Sequence, residues 1–246
     1  MLKRTTIAGL AAIGIAAVML CSCHRTIKDP EIAWHLCSAG ADTITGDEID
    51  VKYLTAKGGS LADSINFYNT QALTLIIGYH AGDVQAAVDS LLTERNNDGM
   101  TSQMPYTVMV DGSTNRYVNI FSVMLSSYTY MGGSHGNSAE IYYNFDMRDG
   151  RKLAIADLIS DTVTLKRLNR AAFTQAYDDL EDVESMLFVT LDNLPLAENF
   201  WIDADGLNVC YNQYEIAPYA FGQIDYTIPM EQIGLLLNRD LLGKMK

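Results

Sequence analysis

Few residues in the chain combine the type and spacing that chemistry requires. His135 stands in the run Gly132-Gly133-Ser134-His135-Gly136. There an imidazole can serve as general acid or base, and the amides of Gly132, Gly133 and Gly136 can cradle an anion. The same residues also read as a corner between strands, with glycines at positive φ and the imidazole bonded to backbone. Ser134 does not complete a nucleophilic pair, because adjacent extended residues point to opposite faces. A second cluster, Tyr211, Tyr214, Tyr219 and Phe221 around Pro218, offers aromatic contact area at low entropic cost. It also reads as a packed loop whose hydroxyls are satisfied internally.

Metal chemistry is not expected. The histidines, His24, His35, His80 and His135, form no i, i+4 pair, and there is no Cys-x-x-Cys. Asp203, Asp205 and Gly206 resemble part of a Ca²⁺ loop, but Tyr214 stands where the distal Glu would be. No catalytic residue, metal or cofactor is therefore assigned. The candidate ligand-binding residues are Tyr130, Gly132, Gly133, His135, Tyr214, Tyr219 and Phe221.

The cysteines bear on location. Lys3 and Arg4 precede Ile7 to Leu20, a run of 14 apolar or small residues, short of the ~20 that span a bilayer. This is the pattern of a secretory signal, residues 1–22. Its end, Leu20-Cys21-Ser22-Cys23, resembles a bacterial lipobox with Leu at −3 and Ser at −1. Cys23 is then the residue lipidated after cleavage. Cys21 fits worse as acceptor, because Met19 and Leu20 are bulky at the two positions before it. The expected protein is exported and held to the lipid bilayer of a bacterial membrane, with the outer membrane, on its periplasmic or surface side, as the expected place. An ordinary secretory signal with incidental cysteines is the alternative. Cleavage and lipidation leave Cys37 and Cys210, which form a disulfide or stay as two buried small hydrophobes.

Composition narrows the partners. The chain has 246 residues, 48 % of them hydrophobic, enough for one sizeable core or two small ones. Its 17 Lys+Arg against 30 Asp+Glu give a net charge of −13, which becomes −15 once Lys3 and Arg4 leave with the signal. Nucleic acid is not an expected partner, because phosphates need clustered basic residues. A basic protein would be attracted instead. The acidic run Asp178 to Glu184 is either a solvated face or part of that field.

These residues need elements to hold them. Residues 23–46 lack strong periodicity and read as a tether, with Trp34 and Leu36 packing near its end. Ile49 and Val51 alternate with charged residues as a short strand. Ser60 is the expected N-cap of a helix through Leu75, and Asp83 opens a second that ends near Asn96-Asn97-Asp98-Gly99. Tyr106 to Val110 reads as a strand, Asp111-Gly112 as a turn, and Arg116 to Tyr130 and Glu140 to Met147 as further strands. Arg148-Asp149-Gly150-Arg151 is a turn before Leu153 and Ile155. A helix from Leu165 to Tyr177, a hairpin from Asn199 to Tyr211, a strand from Ile224 to Ile228 and a helix after Pro229 complete the chain. Strands joined this tightly are antiparallel. The fold class is α+β, with antiparallel sheets and packed helices in two intimately linked subdomains, 47–150 and 151–246.

Two stretches carry a resemblance. Tyr128-Thr129-Tyr130-Met131-Gly132-Gly133-Ser134-His135-Gly136 with Phe145-Asp146-Met147-Arg148-Asp149-Gly150-Arg151-Lys152-Leu153 is one, and Tyr211-Asn212-Gln213-Tyr214-Glu215-Ile216-Ala217-Pro218-Tyr219-Ala220-Phe221-Gly222 is the other. Together they resemble the paired domains of unknown function in the extracellular part of RsiV-type anti-sigma regulators, which sense lysozyme. The same pair is the non-catalytic N-terminal region of PdaC-type peptidoglycan deacetylases. The resemblance covers about residues 47–240. It carries over neither the sigma-binding segment nor the deacetylase domain, for which this sequence has no counterpart. What it implies is a lipid-anchored envelope binding protein whose ligand is a protein such as lysozyme or a cell-wall glycan. The alternative is a peptidoglycan-modifying enzyme or enzyme accessory built on His135.

Overall fold

The computed structural model describes residues 27–39, 46–97 and 105–242. The signal 1–22 and Cys23 lie outside the described residues. Period-two alternation becomes two sheets. The larger runs in chain order through β1 (Glu31–Ala39), β2 (Glu48–Lys57), β3 (Thr107–Tyr117), β4 (Ile120–Tyr130), β5 (Asn137–Asp146) and β6 (Lys152–Leu153). The smaller holds β7 (Asn199–Ile202), β8 (Gly206–Tyr211) and β9 (Ile224–Pro229).

Neighbouring strands are antiparallel except β2 and β3, which are parallel. The sequence reading missed that pair. Its crossover is the two helices α1 (Gly59–Ile77) and α2 (Val84–Asn97), since a parallel connection must return the chain to the same end of the sheet. Leu73, Ile77, Val84, Val88 and Leu91 of these helices bury against Ile49, Val51, Val108 and Leu125. Leu61, Ala62 and Ile65 meet Leu54, Phe121, Val123 and Phe145. α3 (Ile155–Leu158), α4 (Thr162–Ala176), α5 (Met230–Ile233) and α6 (Arg239–Leu242) share one apolar cluster with the small sheet, built on Leu165, Phe173, Val209, Tyr211 and Ile228.

Several local expectations are corrected. Part of the tether is a strand, for Glu31–Ala39 pair along β2 from Lys57 to Ile49. Its periodicity is faint because the strand lies at an edge, with Trp34 41 % and Leu36 66 % exposed while Cys37 is buried. Ser60 does not cap α1; Gly58, in left-handed backbone, precedes the helix without a side-chain cap. Asp83 does cap α2, accepting the Ala86 N–H at 2.8 Å. No turn forms at Asp111-Gly112. β3 runs on to Tyr117, and the chain turns at Val118, where φ is 53°. Gly112 serves instead to admit the Trp34 indole, which a Cβ there would meet at 3.1 Å. Ile155 starts a short helix, and the helix after Pro229, expected to run through Ile233 to Leu237, ends at Ile233. Lys152 and Leu153 pair with β5 in the large sheet.

Cys37 and Cys210 are not joined. They sit on β1 and β8, in different sheets, and the Cys37 thiol donates to Gln85 Oε1 at 3.1 Å. The disulfide is therefore corrected to two buried thiols. Burial, aided by the charge of Asp89, pushes the Cys37 thiol up. Burial pushes Cys210 up to about 12, with Glu140, Glu215 and Asp225 adding like charge. Because the thiolate is the reacting species, iodoacetamide at pH 8 should label neither residue in the folded protein and both in urea without reductant. Peptide mass spectrometry reads this directly. A Cys37–Cys210 cross-linked peptide, or native labelling as fast as in urea, would contradict it.

Candidate functional site

The two motifs converge, though they belong to different sheets. β4 ends at Tyr130, and the chain turns through Gly132 and Gly133 at φ 89° and 108° before β5 begins at Asn137. A Cβ at either glycine would meet nothing within 4 Å, so conformation and not space calls for glycine. Tyr130 Oη donates across the corner to the Gly133 carbonyl at 3.1 Å. The loop after β8 approaches from the other side. His135 and Tyr219 stack with ring centroids 3.8 Å apart, and Tyr214 lies 5.7 Å from Tyr219.

One carbonyl ties the stack together. Gly136 O lies 2.9 Å from His135 Nδ1 and accepts from Tyr219 Oη at 3.0 Å. A carbonyl only accepts, so Nδ1 carries the proton and Nε2, in the neutral ring, faces Tyr214 Oη at 3.4 Å. Tyr214 is 54 % exposed and has φ 69°. A bulky residue in left-handed backbone costs about 1 kcal/mol or more and persists only where its surroundings enforce it.

Those surroundings are amide clasps. Among the described residues, the outer edge of β5 has no strand partner beyond its short pairing with β6. Asn212 Nδ2 donates to the Glu140 carbonyl and Asn212 Oδ1 accepts the Glu140 N–H, both at 2.8 Å. Asn199 Oδ1 accepts from the Tyr142 N–H at 3.2 Å, and Asn144 Nδ2 donates to the Phe200 carbonyl at 2.6 Å. Side-chain amides thus satisfy backbone groups that a further strand would otherwise take. Asn66 does the same in the large sheet, bonding both the N–H and the carbonyl of Ala56.

Six of the seven expected residues meet here: Tyr130, Gly132, Gly133, His135, Tyr214 and Tyr219. Phe221 does not. It is half-buried and turns to Tyr177, at 5.8 Å, within the apolar cluster of the small sheet. Tyr211 is likewise a core residue, 2 % exposed. Tyr128 was missed. Its hydroxyl covers Gly136 so closely that a Cβ there would lie 2.3 Å away. The signal available was its place two residues before Tyr130, on the same face of β4. Among the described residues no group of three or more His, Cys, Asp or Glu side chains could hold a metal ion. The acidic run around Asp178 to Glu184 is largely exposed.

The comparisons bear on fold. Residues 149–231 match the model of a family described as a protein of unknown function, DUF3298. That span carries Tyr214 and Tyr219 but not the His135 corner. The chain is similar to the crystal structure of a DUF3298 family member from Bacteroides fragilis, with 21 % identity and a TM-score of 0.65 over 88 % of this chain and 97 % of that one. It is also similar to a DUF3298 family protein from Pseudomonas aeruginosa, with 16 % identity and a TM-score of 0.59 over 87 % and 94 %. No curated protein matches the chain. The shared architecture is α+β with antiparallel sheets and several helices.

Proposed function

We propose that the chain is a non-catalytic binding module of a bacterial cell envelope, with a domain pair of the RsiV and PdaC kind. In this reading residues 1–22 export it, lipid on Cys23 holds it to a membrane, and the corner at His135, Tyr214 and Tyr219 docks a basic protein such as lysozyme, or a cell-wall glycan. The observation that carries it is the exposed ring of Tyr214, kept in costly backbone beside the His135–Tyr219 stack. Strained backbone clusters at ligand clamps, and Tyr is enriched among the residues that carry binding energy. The charge of −13, or −15 without the signal, favours a basic protein among these ligands. The enzyme alternative has less support. The two ring nitrogens of His135 face Gly136 and Tyr214, and among the described residues no carboxylate bonds to the ring.

Tyr214→Asn tests the reading, because Asn tolerates left-handed backbone while the ring is lost. Biolayer interferometry should find egg-white lysozyme binding at low salt, weakening steeply as salt rises, and at least tenfold weaker in the variant. The melting temperature should hold or rise. Equal affinity in variant and wild type, with folding intact, would remove the corner from the interface.

A further inference from the structure

A groove lies along the seam between the two units, and none of the corner's rings lines it. Two cavities of about 410 and 590 Å³ share Lys152, Leu196, Ala197 and Glu198 in their linings, so they lie side by side along it. Each volume falls in the ~300–1,000 Å³ range of small-ligand sites. Lys152 comes from the large sheet. Its ammonium stands 4.9 Å from the ring centre of Tyr68 and 5.0 Å from that of Tyr143. Among the described residues no carboxylate pairs with it.

The second unit supplies the opposite charge. Glu198 lines both cavities and Glu215 lines the larger. Neither carboxylate has a basic partner among the described residues, and the Glu215 side chain accepts from Asn212 Nδ2 at 3.2 Å. Burial holds the Glu215 carboxyl above its usual range, and the charge of Glu198 adds to the effect although Asn212 opposes it. A cation placed between the two would offset both causes.

A sugar is the usual occupant of an aromatic-lined groove, but here Lys152 already covers the ring faces a pyranose would stack on. What the groove still offers is an unpaired cation on one unit, two unpaired carboxylates on the other, and apolar Leu196 and Ala197 between. We infer that it binds a short peptide bearing both charges, with a carboxylate at Lys152 and an ammonium at Glu198 and Glu215. Asn199 Nδ2, whose amide oxygen alone is engaged, is placed to donate to a peptide carbonyl. This site stands apart from the corner and does not depend on lysozyme binding.

Isothermal titration of the folded protein with L-Ala-L-Glu-L-Lys tests the groove. L-Ala-γ-D-Glu-meso-diaminopimelate, a cell-wall stem peptide, tests it together with the envelope reading. Saturable binding is expected, at least tenfold weaker in Lys152→Met and in Glu198→Gln/Glu215→Gln, and unchanged in Lys166→Met, an exposed lysine on α4. Replacing Glu by Gln and Lys by norleucine in that peptide, with its ends acetylated and amidated so that no charge remains, should weaken it as much. Binding of the lysine peptide alone would support the groove and count against the envelope reading. Absence of saturation by both peptides, wild-type affinity in Lys152→Met, or displacement by neutral chitotriose would overturn the proposal. Melting curves of each variant separate a lost site from a lost fold.

Discussion

Replacing Arg148 by Met should cost about 3 kcal/mol of stability at pH 7, and much less near pH 3. The side chain of Asp146, at the end of β5, is 2 % exposed, and Arg148 grips it through Nε at 2.8 and 3.1 Å and Nη2 at 2.5 Å. The Arg148 backbone N–H adds a bond at 2.9 Å, and Nη1 reaches the Asp240 carbonyl at 2.6 Å, tying the turn to α6. Removing the cation leaves a buried carboxylate with a backbone N–H but no guanidinium, which is the expensive half of a broken ion pair. The figure sits at the low end because Arg148 itself is 42 % exposed. Asp146→Asn should cost less, about 1–2 kcal/mol, since the amide keeps some bonds and the guanidinium regains water.

The sign of the pH effect separates charge from packing. Burial alone would raise the Asp146 carboxyl, but the hydrogen bonds and charge of Arg148 outweigh it and hold the group below its ordinary range. A carboxyl lowered in the fold stabilises above its unfolded-state value near ~4, and loses that contribution as pH falls through the lower folded-state value. In Arg148→Met burial is opposed only by the backbone N–H of residue 148 and the charge of Arg151, so the carboxyl rises and the fold loses stability until acid protonates it. Urea midpoints at pH 3 to 7 should diverge above about pH 5 and converge in acid. A gap constant across that range would make the loss one of packing.

Asp146 shows how much of the molecule was legible. The motif around it was visible as residue types, yet the role of each residue depends on contacts the sequence does not display. Phe145 enters the core, Asp146 holds Arg148, and Gly150 lies where a Cβ would come 2.6 Å from the Ser60 backbone. α4 and the β7–β8 hairpin were readable because their signals are local: apolar residues at helical spacing, and a turn at Ala204-Asp205-Gly206. β1 was hidden because an edge strand buries little. Gly112 imitated a turn because its purpose is a distant indole. The corner emerged because both of its halves carry aromatic or glycine-rich runs. The groove did not, since Lys152, Glu198 and Glu215 are ordinary residues far apart in sequence, and only the seam brings them to one cavity.

Asn169→Leu should also cost about 3 kcal/mol, although it puts an apolar side chain of similar size into an apolar core. Asn169, on α4, is fully buried. Its Nδ2 donates to Tyr211 Oη at 3.0 Å and to the Pro195 carbonyl at 3.2 Å, and its Oδ1 accepts from Tyr226 Oη at 3.0 Å. Tyr211 Oη donates in turn to Pro195 at 2.6 Å. Leu deprives the Tyr226 hydroxyl of its amide acceptor and Tyr211 of its amide donor, leaving the two hydroxyls to each other and to Pro195, and each group orphaned from the amide costs about 1–3 kcal/mol. Tyr226→Phe removes one orphan, so the double variant should lose at least 1 kcal/mol less than the two single losses added together. Additive losses in urea unfolding would show that the network does not act as a unit. Pro195 also opens the segment that carries Leu196, Ala197 and Glu198 along the groove. If that segment is positioned by the network, Asn169→Leu weakens peptide binding at temperatures where the fold is intact, while Arg148→Met, whose bonds reach α6, leaves it unchanged.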